Sequence, residues 1–287
     1  MSTTASRPRA TETPDASGGR LRALLREWRQ VRHVSQHVLA LRAGVSQRHL
    51  SFIELGRAQP SRDMVLKISE ALDIPLRARN ELLGAAGFAS LYPEAALDGP
   101  AIARARDALQ RMLDHHEPYP AVVLDRSWNI VMKNRANARL LAHCIDEPTL
   151  RRLFPDGREN FLRLIFDPHG IRSQVRSFAR TAPLLLARLR REAAAYPGSP
   201  SETLLRTLMP AAPDLFVPAL DDAPIAPTIP LELDVGDQTL RLFNTLTTFG
   251  TPQDVTLQEL RIEMSYPADD ATDALLHRWG DEPHAAG

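Results

Sequence analysis

The 287-residue sequence holds one cysteine, Cys144. That excludes an internal disulfide and any metal cluster built on several thiolates. No stretch approaches the roughly 18 consecutive apolar residues of a membrane-spanning helix. Residues 1–19 contain no apolar run, so no secretory leader is expected and the chain reads as soluble and cytoplasmic. Lysine is almost missing: Lys67 and Lys133 are the only two, and arginine supplies the rest of the positive charge. The signatures GxSxG, GxGxxG, HExxH and the P-loop are absent, which removes the commonest hydrolase, nucleotide-binding and zinc-protease readings. His115-His116-Glu117 sets two histidines side by side, a spacing that suits no helical metal face. Cys144 closes an apolar helix, where a thiol is usually buried and inert. No catalytic residue, metal or cofactor is expected, and the chain is not read as an enzyme.

What is present is unevenly spread. Net charge is zero, yet residues 20–90 carry 12 Lys/Arg against 6 Asp/Glu, and residues 91–287 are acidic by the same margin. The length suits two domains. A basic first part and an acidic second part fit a nucleic-acid reader joined to a module with another task.

Within the basic part, Ser35 to Leu55 reads SQHVLALRAGVSQRHLSFIEL. The spacing predicts two short helices and a tight turn. Ser35 can cap the first helix and Ser46 the second. Leu39, Ala40 and Ala43 give the first helix a small apolar face. Gly44 suits a left-handed residue past the helix end, and Val45 plugs the angle. Leu50 and Ile53 face inward, which leaves Gln47, Arg48, His49 and Ser51 at the front and outer side. These side chains can reach base edges and phosphates from a major groove.

Residues 35–55 resemble the helix-turn-helix of the phage-repressor-like XRE family, and 20–90 look like its full all-α five-helix domain. The resemblance rests on Gln36 opening the first helix, the Ala43-Gly44-Val45-Ser46 turn, and Ile53-Glu54 followed by Gly56-Arg57. It implies that Gln36 meets a phosphate at a helix N-terminus, that Gln47 and Arg48 read bases, and that Arg57 touches phosphate. Ser46, His49 and Ser51 complete the expected contacts to double-stranded DNA.

Around this motif, residues 1–19 are polar and read as a disordered tail. Helices are expected over about 19–32, 61–72 and 76–84. Residues 91–104 read as a linker and the start of a connecting helix. The pattern then changes period. Ala121–Leu124 is a short apolar strand, and Trp128, Ile130 and Met132 alternate with polar neighbours as a second. Helices follow, including one over about 171–196. The six prolines of residues 210–230 mark a loop or covering flap. Three more strands are expected, at 231–235, around 240–242, and from Val255 to Tyr266 with a bulge at Gln258-Glu259. A helix over 269–279 ends the pattern. This is an α+β domain with five antiparallel strands.

The wording PYPAVVLDRSWNIVMKNRANARLL, then FDP, then LFNTLTTFGTPQDVTLQELRIEMSYPAD resembles the MmyB-like ligand-binding domain. That domain is PAS-like and is found behind XRE helix-turn-helix domains. The resemblance covers about 105–280 and implies a site for a fatty-acid-like molecule. Trp128, Met132, Asn134, Phe178, Phe243 and Phe249 are the candidates to line it. Together these readings imply a one-component regulator that binds a pseudo-palindromic operator as a homodimer and senses a small apolar effector. Two alternatives stay open: a second domain that only dimerises, and an enzyme with an autoregulatory DNA-binding domain.

Overall fold

A computed structural model describes residues 14–211 and 228–282. They divide into two compact units. One runs up to Glu94 and includes Gln253–Val255; the other comprises Ala95–Pro252 and the residues from Thr256 onward.

The first unit is helical: α1 (Pro14–Val31), α2 (Gln36–Ala43), α3 (Gln47–Leu55), α4 (Arg62–Ala71) and α5 (Leu76–Ala85). The serines before α2, α3 and α4 cap them as expected. The hydroxyls of Ser35, Ser46 and Ser61 accept the N–H groups of Val38, His49 and Met64 at 3.2, 3.1 and 3.3 Å. Gly44 and Gly56 close α2 and α3 at φ 66° and 75°, a conformation that a Cβ would strain. Leu25, Trp28, Leu39, Leu50, Ile53 and Ile68 are the buried centre.

Two boundaries differ from expectation. Residues 14–19, read as part of a disordered tail, are the first turns of α1. Proline's fixed φ suits a first helical position, and the helix starts there. Residues 1–13 of that tail lie outside the described residues. The linker expected at 91–104 is tied down at its start. Asn80 Oδ1 accepts the N–H groups of Leu91 and Tyr92 at 3.0 and 3.1 Å, while its Nδ2 donates to the Tyr92 carbonyl at 2.7 Å. Arg77 pairs with Glu94 beside it.

The second unit holds α6 (Ala103–His115), β1 (Ala121–Leu124), β2 (Ile130–Lys133), α7 (Arg135–Cys144), α8 (Glu147–Leu153), α9 (Phe161–Phe166), α10 (Phe178–Ala195), α11 (Pro200–Leu208), β3 (Ile229–Val235), β4 (Gln238–Thr248), β5 (Arg261–Pro267) and α13 (Asp270–Asp281). The five-residue α12 (Val255–Glu259) precedes β5. The strands form one antiparallel sheet in the order β2-β1-β5-β4-β3. β1 is buried on both faces, as its unbroken apolar run requires. Ala121 and Val123 join Leu109, Leu113 and Ile262 on one face. Val122 and Leu124 join the larger core, with Leu140, Phe166, Leu186, Leu240 and Leu276, on the other. The expected α+β architecture is thus the one adopted.

Further details differ from expectation. Trp128, expected in the second strand, sits in the preceding turn at φ 66°. Asp125 Oδ1 gathers the N–H groups of Ser127 and Asn129 at 2.7 and 2.9 Å and folds the chain there. The helix expected from residue 171 begins at Phe178, because Val175 bridges to Leu233 instead and Ser177 Oγ accepts the Glu232 N–H at 2.9 Å. The last strand begins at Arg261, not Val255. β4 ends at Thr248, opposite Arg261, so the preceding residues have no partner strand and coil into α12. The register shift lies between Val123 and Leu124, not at Gln258-Glu259. The Pro-rich stretch is largely outside the described residues.

Candidate nucleic-acid interface and second-domain cavity

The start of α3 carries the side chains that matter. Ser46, Gln47 and Arg48 are exposed, His49 and Ser51 are half-buried, and Arg57 is exposed in the loop after the helix. Ser46 is also the α3 cap. Gln47 Oε1 lies 3.3 Å from His37 Nδ1 on α2. The Arg48 guanidinium stands 5.3 Å from the centroid of the Phe52 ring, one turn on, so Phe52 is a platform for the arginine.

Beneath this edge lies Glu54, only 1% exposed. Arg29 donates to it from Nε at 3.0 Å and from a terminal nitrogen at 3.3 Å. Gln36 Nε2 donates to Oε2 at 2.6 Å. Arg26 donates to the Glu54 backbone carbonyl at 2.6 Å. α1, α2 and α3 are thereby joined at one carboxylate. One side chain is placed differently from expectation. Gln36, expected to meet phosphate through its amide, has that amide nitrogen engaged on Glu54. Arginines of α1 fasten the unit as well: Arg32 donates to the carbonyls of Leu72 and Asp73, both at 3.0 Å.

In the second unit a cavity of about 60 Å³ opens on the many-helix face of the sheet. Ile130, Leu140, Phe161, Ile165, Leu231 and Asn244 are among its walls. None of the six expected lining residues is there. Trp128 is fully buried, donates from Nε1 to Glu192 at 2.9 Å, and has the guanidiniums of Arg188 and Arg261 at 4.5 and 4.4 Å from its ring. Met132 and Phe249 pack with α6 on the opposite face. Phe178 meets Phe166 edge-on at 5.5 Å, and Phe243 stacks on Tyr266 at 5.4 Å. Asn134 caps α7: its Oδ1 accepts the N–H groups of Asn137 and Ala121 at 2.9 and 3.0 Å, and its Nδ2 donates to the Tyr119 carbonyl at 2.7 Å. Strand periodicity separates two faces but does not say which one borders a void.

Behind the cavity runs a buried polar chain. Asn244 Nδ2 donates to Glu263 Oε1 at 3.3 Å, and Arg188 approaches the other oxygen at 3.6 Å. Burial pushes the Glu263 carboxyl above the usual range, with Arg188 and Asn244 opposing. Glu192 accepts hydrogen bonds from Trp128 and Arg261 and pairs with Arg188. Cys144, at the cavity wall, is buried, which pushes its thiol up to about 11.

Residues 105–278 match the MmyB-like transcription regulator ligand binding domain, and residues 25–78 match a helix-turn-helix. The chain belongs to the MmyB-like transcription regulators. It is a DNA-binding transcription regulator that carries a ligand-binding domain. No curated protein matches it. A solved structure described as an RNA-binding Light-Oxygen-Voltage receptor aligns at 14% identity, over 96% of this chain and 68% of that one. Its TM-score of 0.26 carries no argument.

In this MmyB-like regulator, sequence reasoning passed over Asn244 and Glu263, and it quoted Glu54 in the motif without giving it a role. Asn244 had a readable signal: it continues the inward register of Leu240 and Leu242, where an apolar residue is the rule. Glu263 interrupts Ile262 and Met264 in the same way, but alternation made it look like an outward-facing residue.

Proposed function

We propose a one-component regulator acting in the cytoplasm. Gln47 and Arg48 read base edges in the major groove; Ser46, His49, Ser51, Arg57 and the start of α2 at Gln36 meet the backbone around them. One such module makes few base contacts, so the chain binds as a homodimer on a pseudo-palindrome with half-sites about one helical turn apart. The observation that carries this reading is the exposure of Gln47 and Arg48 on a helix whose base is fastened through Glu54. The strand order, with helices between the second and third strands, supports a PAS-like second domain. Its apolar-walled cavity supports a small apolar effector, of the fatty-acid-like kind that the family resemblance implies. Such a molecule acts through its differential affinity for two states of the regulator.

The test is selection of bound sequences from a random duplex pool, by the natural chain and by Gln47→Ala/Arg48→Ala. The double variant is expected to flatten the preferred motif, by about 1–3 kcal/mol for each bidentate base pairing it can no longer make. Binding should weaken steeply with salt in both. An unchanged motif in the double variant would remove these residues from the reading head.

A further inference from the structure

Phe52 shares the outward face of α3 with Arg48, yet it has no polar group with which to read a base. Helical rotation of about 100° per residue puts Leu50, Ile53 and Glu54 on one side of α3, and these are its buried residues. The same rotation puts Arg48, Phe52 and Leu55 within about 60° of one another on the opposite side. Arg48 is exposed, Phe52 is half-buried, and Leu55 is 49% exposed. The side of α3 turned away from the core is thus an arginine followed by two apolar side chains. The Arg48 guanidinium uses part of the Phe52 ring as its platform, 5.3 Å from the centroid. What stays accessible of that ring can be matched only by an apolar surface. Among the base edges of a major groove, the thymine methyl is that surface.

We propose that Phe52 reads a thymine methyl while Arg48 takes a guanine near it, on the reading that α3 enters the major groove. The separation of 5.3 Å between guanidinium and ring centroid spans one to two base-pair rises of about 3.4 Å. The thymine therefore lies within two base pairs of the guanine. Phe52 is a specificity-determining residue with two effects: its ring holds Arg48 in place, and its accessible part recognises the methyl. The two effects are separable. Support of the arginine is indifferent to the thymine methyl, whereas direct recognition is lost with it.

The experiment starts from the duplex motif that the full natural chain selects from a random pool. Each thymine of the motif is replaced in turn by uracil, which lacks only the methyl, and affinity is read by fluorescence anisotropy at one salt concentration. Selection by Arg48→Ala identifies the guanine, as the position whose preference that variant loses. With the natural chain, one thymine within two base pairs of this guanine is expected to lose about fourfold in affinity as uracil, the worth of burying one methyl-sized group. With Phe52→Ala the same replacement is expected to cost nothing. Phe52→Gln, polar and of similar reach, serves if the alanine variant does not fold, with the same expectation. Equal affinity for thymine and uracil near the guanine, or no thymine there, overturns the methyl contact and needs no variant to fold. A fourfold loss that persists without the phenylalanine gives the methyl to another side chain and overturns it too. In either case base reading by Gln47 and Arg48 stands. Selection of no motif by the natural chain removes both.

Discussion

Two glutamates are buried almost completely, Glu54 at 1% exposure and Glu263 at 3%. Their surroundings differ. Both oxygens of Glu54 accept hydrogen bonds, from Arg29 twice and from Gln36. Among the described residues Glu263 accepts one hydrogen bond, from Asn244, and its other oxygen has the Arg188 charge at 3.6 Å. Residue type and burial are the same; the number of donors is not. A fully partnered carboxylate fixes the angles between helices. A partly partnered one leaves an oxygen without a donor.

The largest effect is expected at the first. Glu54→Ala strands the Arg29 guanidinium and frees the Gln36 amide, for a loss of about 3–5 kcal/mol in urea unfolding. A loss below about 1 kcal/mol would erase the contrast between the two sites. Asn134→Ala comes next, at about 2 kcal/mol, because a helix cap and the hydrogen bonds to the Ala121 N–H and the Tyr119 carbonyl go together. An unchanged stability there would contradict the structural role of these hydrogen bonds.

Glu263→Gln is smaller and is read as a slope. The raised Glu263 carboxyl keeps its proton in the folded chain at pH values where the unfolded chain has released it. Its contribution is therefore full at low pH and is lost as pH rises from the ordinary carboxylate range through the folded value. Asp146, Asp234 and Asp269 are held below that range by hydrogen bonds, chiefly from Thr149, Arg176 and Thr272, and they act with the opposite sign. Urea unfolding of the natural chain and of Glu263→Gln, between about pH 4 and about pH 8, isolates the Glu263 share. The variant should lose less stability as pH rises; parallel curves would contradict this. Smallest is Cys144, whose thiol at about 11 should react with a thiol reagent far more slowly in the folded chain than in urea.

The helices of the first unit were legible because period and caps agree. Ser35, Ser46 and Ser61 each precede an apolar stripe, and Gly44 and Gly56 each follow one. Where tertiary pairing decides, the sequence was ambiguous. Val255–Glu259 has strand-like residues yet coils, since β4 has already ended. Trp128 alternates like a strand residue, yet Asp125 turns the chain beneath it. The reading edge was legible as a set of exposed residues, but the engagement of Gln36 was not. That hydrogen bond depends on Glu54, 18 residues away and carrying a charge that patterning sends outward. The cavity escapes a linear reading because its walls come from α7, α9, β3 and β4, which meet only after folding.

The clamp at Glu54 has one more effect. A helix anchored to its neighbours through a guanidinium and an amide keeps its pitch, so the duplex must supply the adjustment. On the proposed dimeric reading, operators are expected to be ranked partly by stiffness: flexible pyrimidine–purine steps at untouched central positions bind better than rigid A-tracts, although no side chain inspects them.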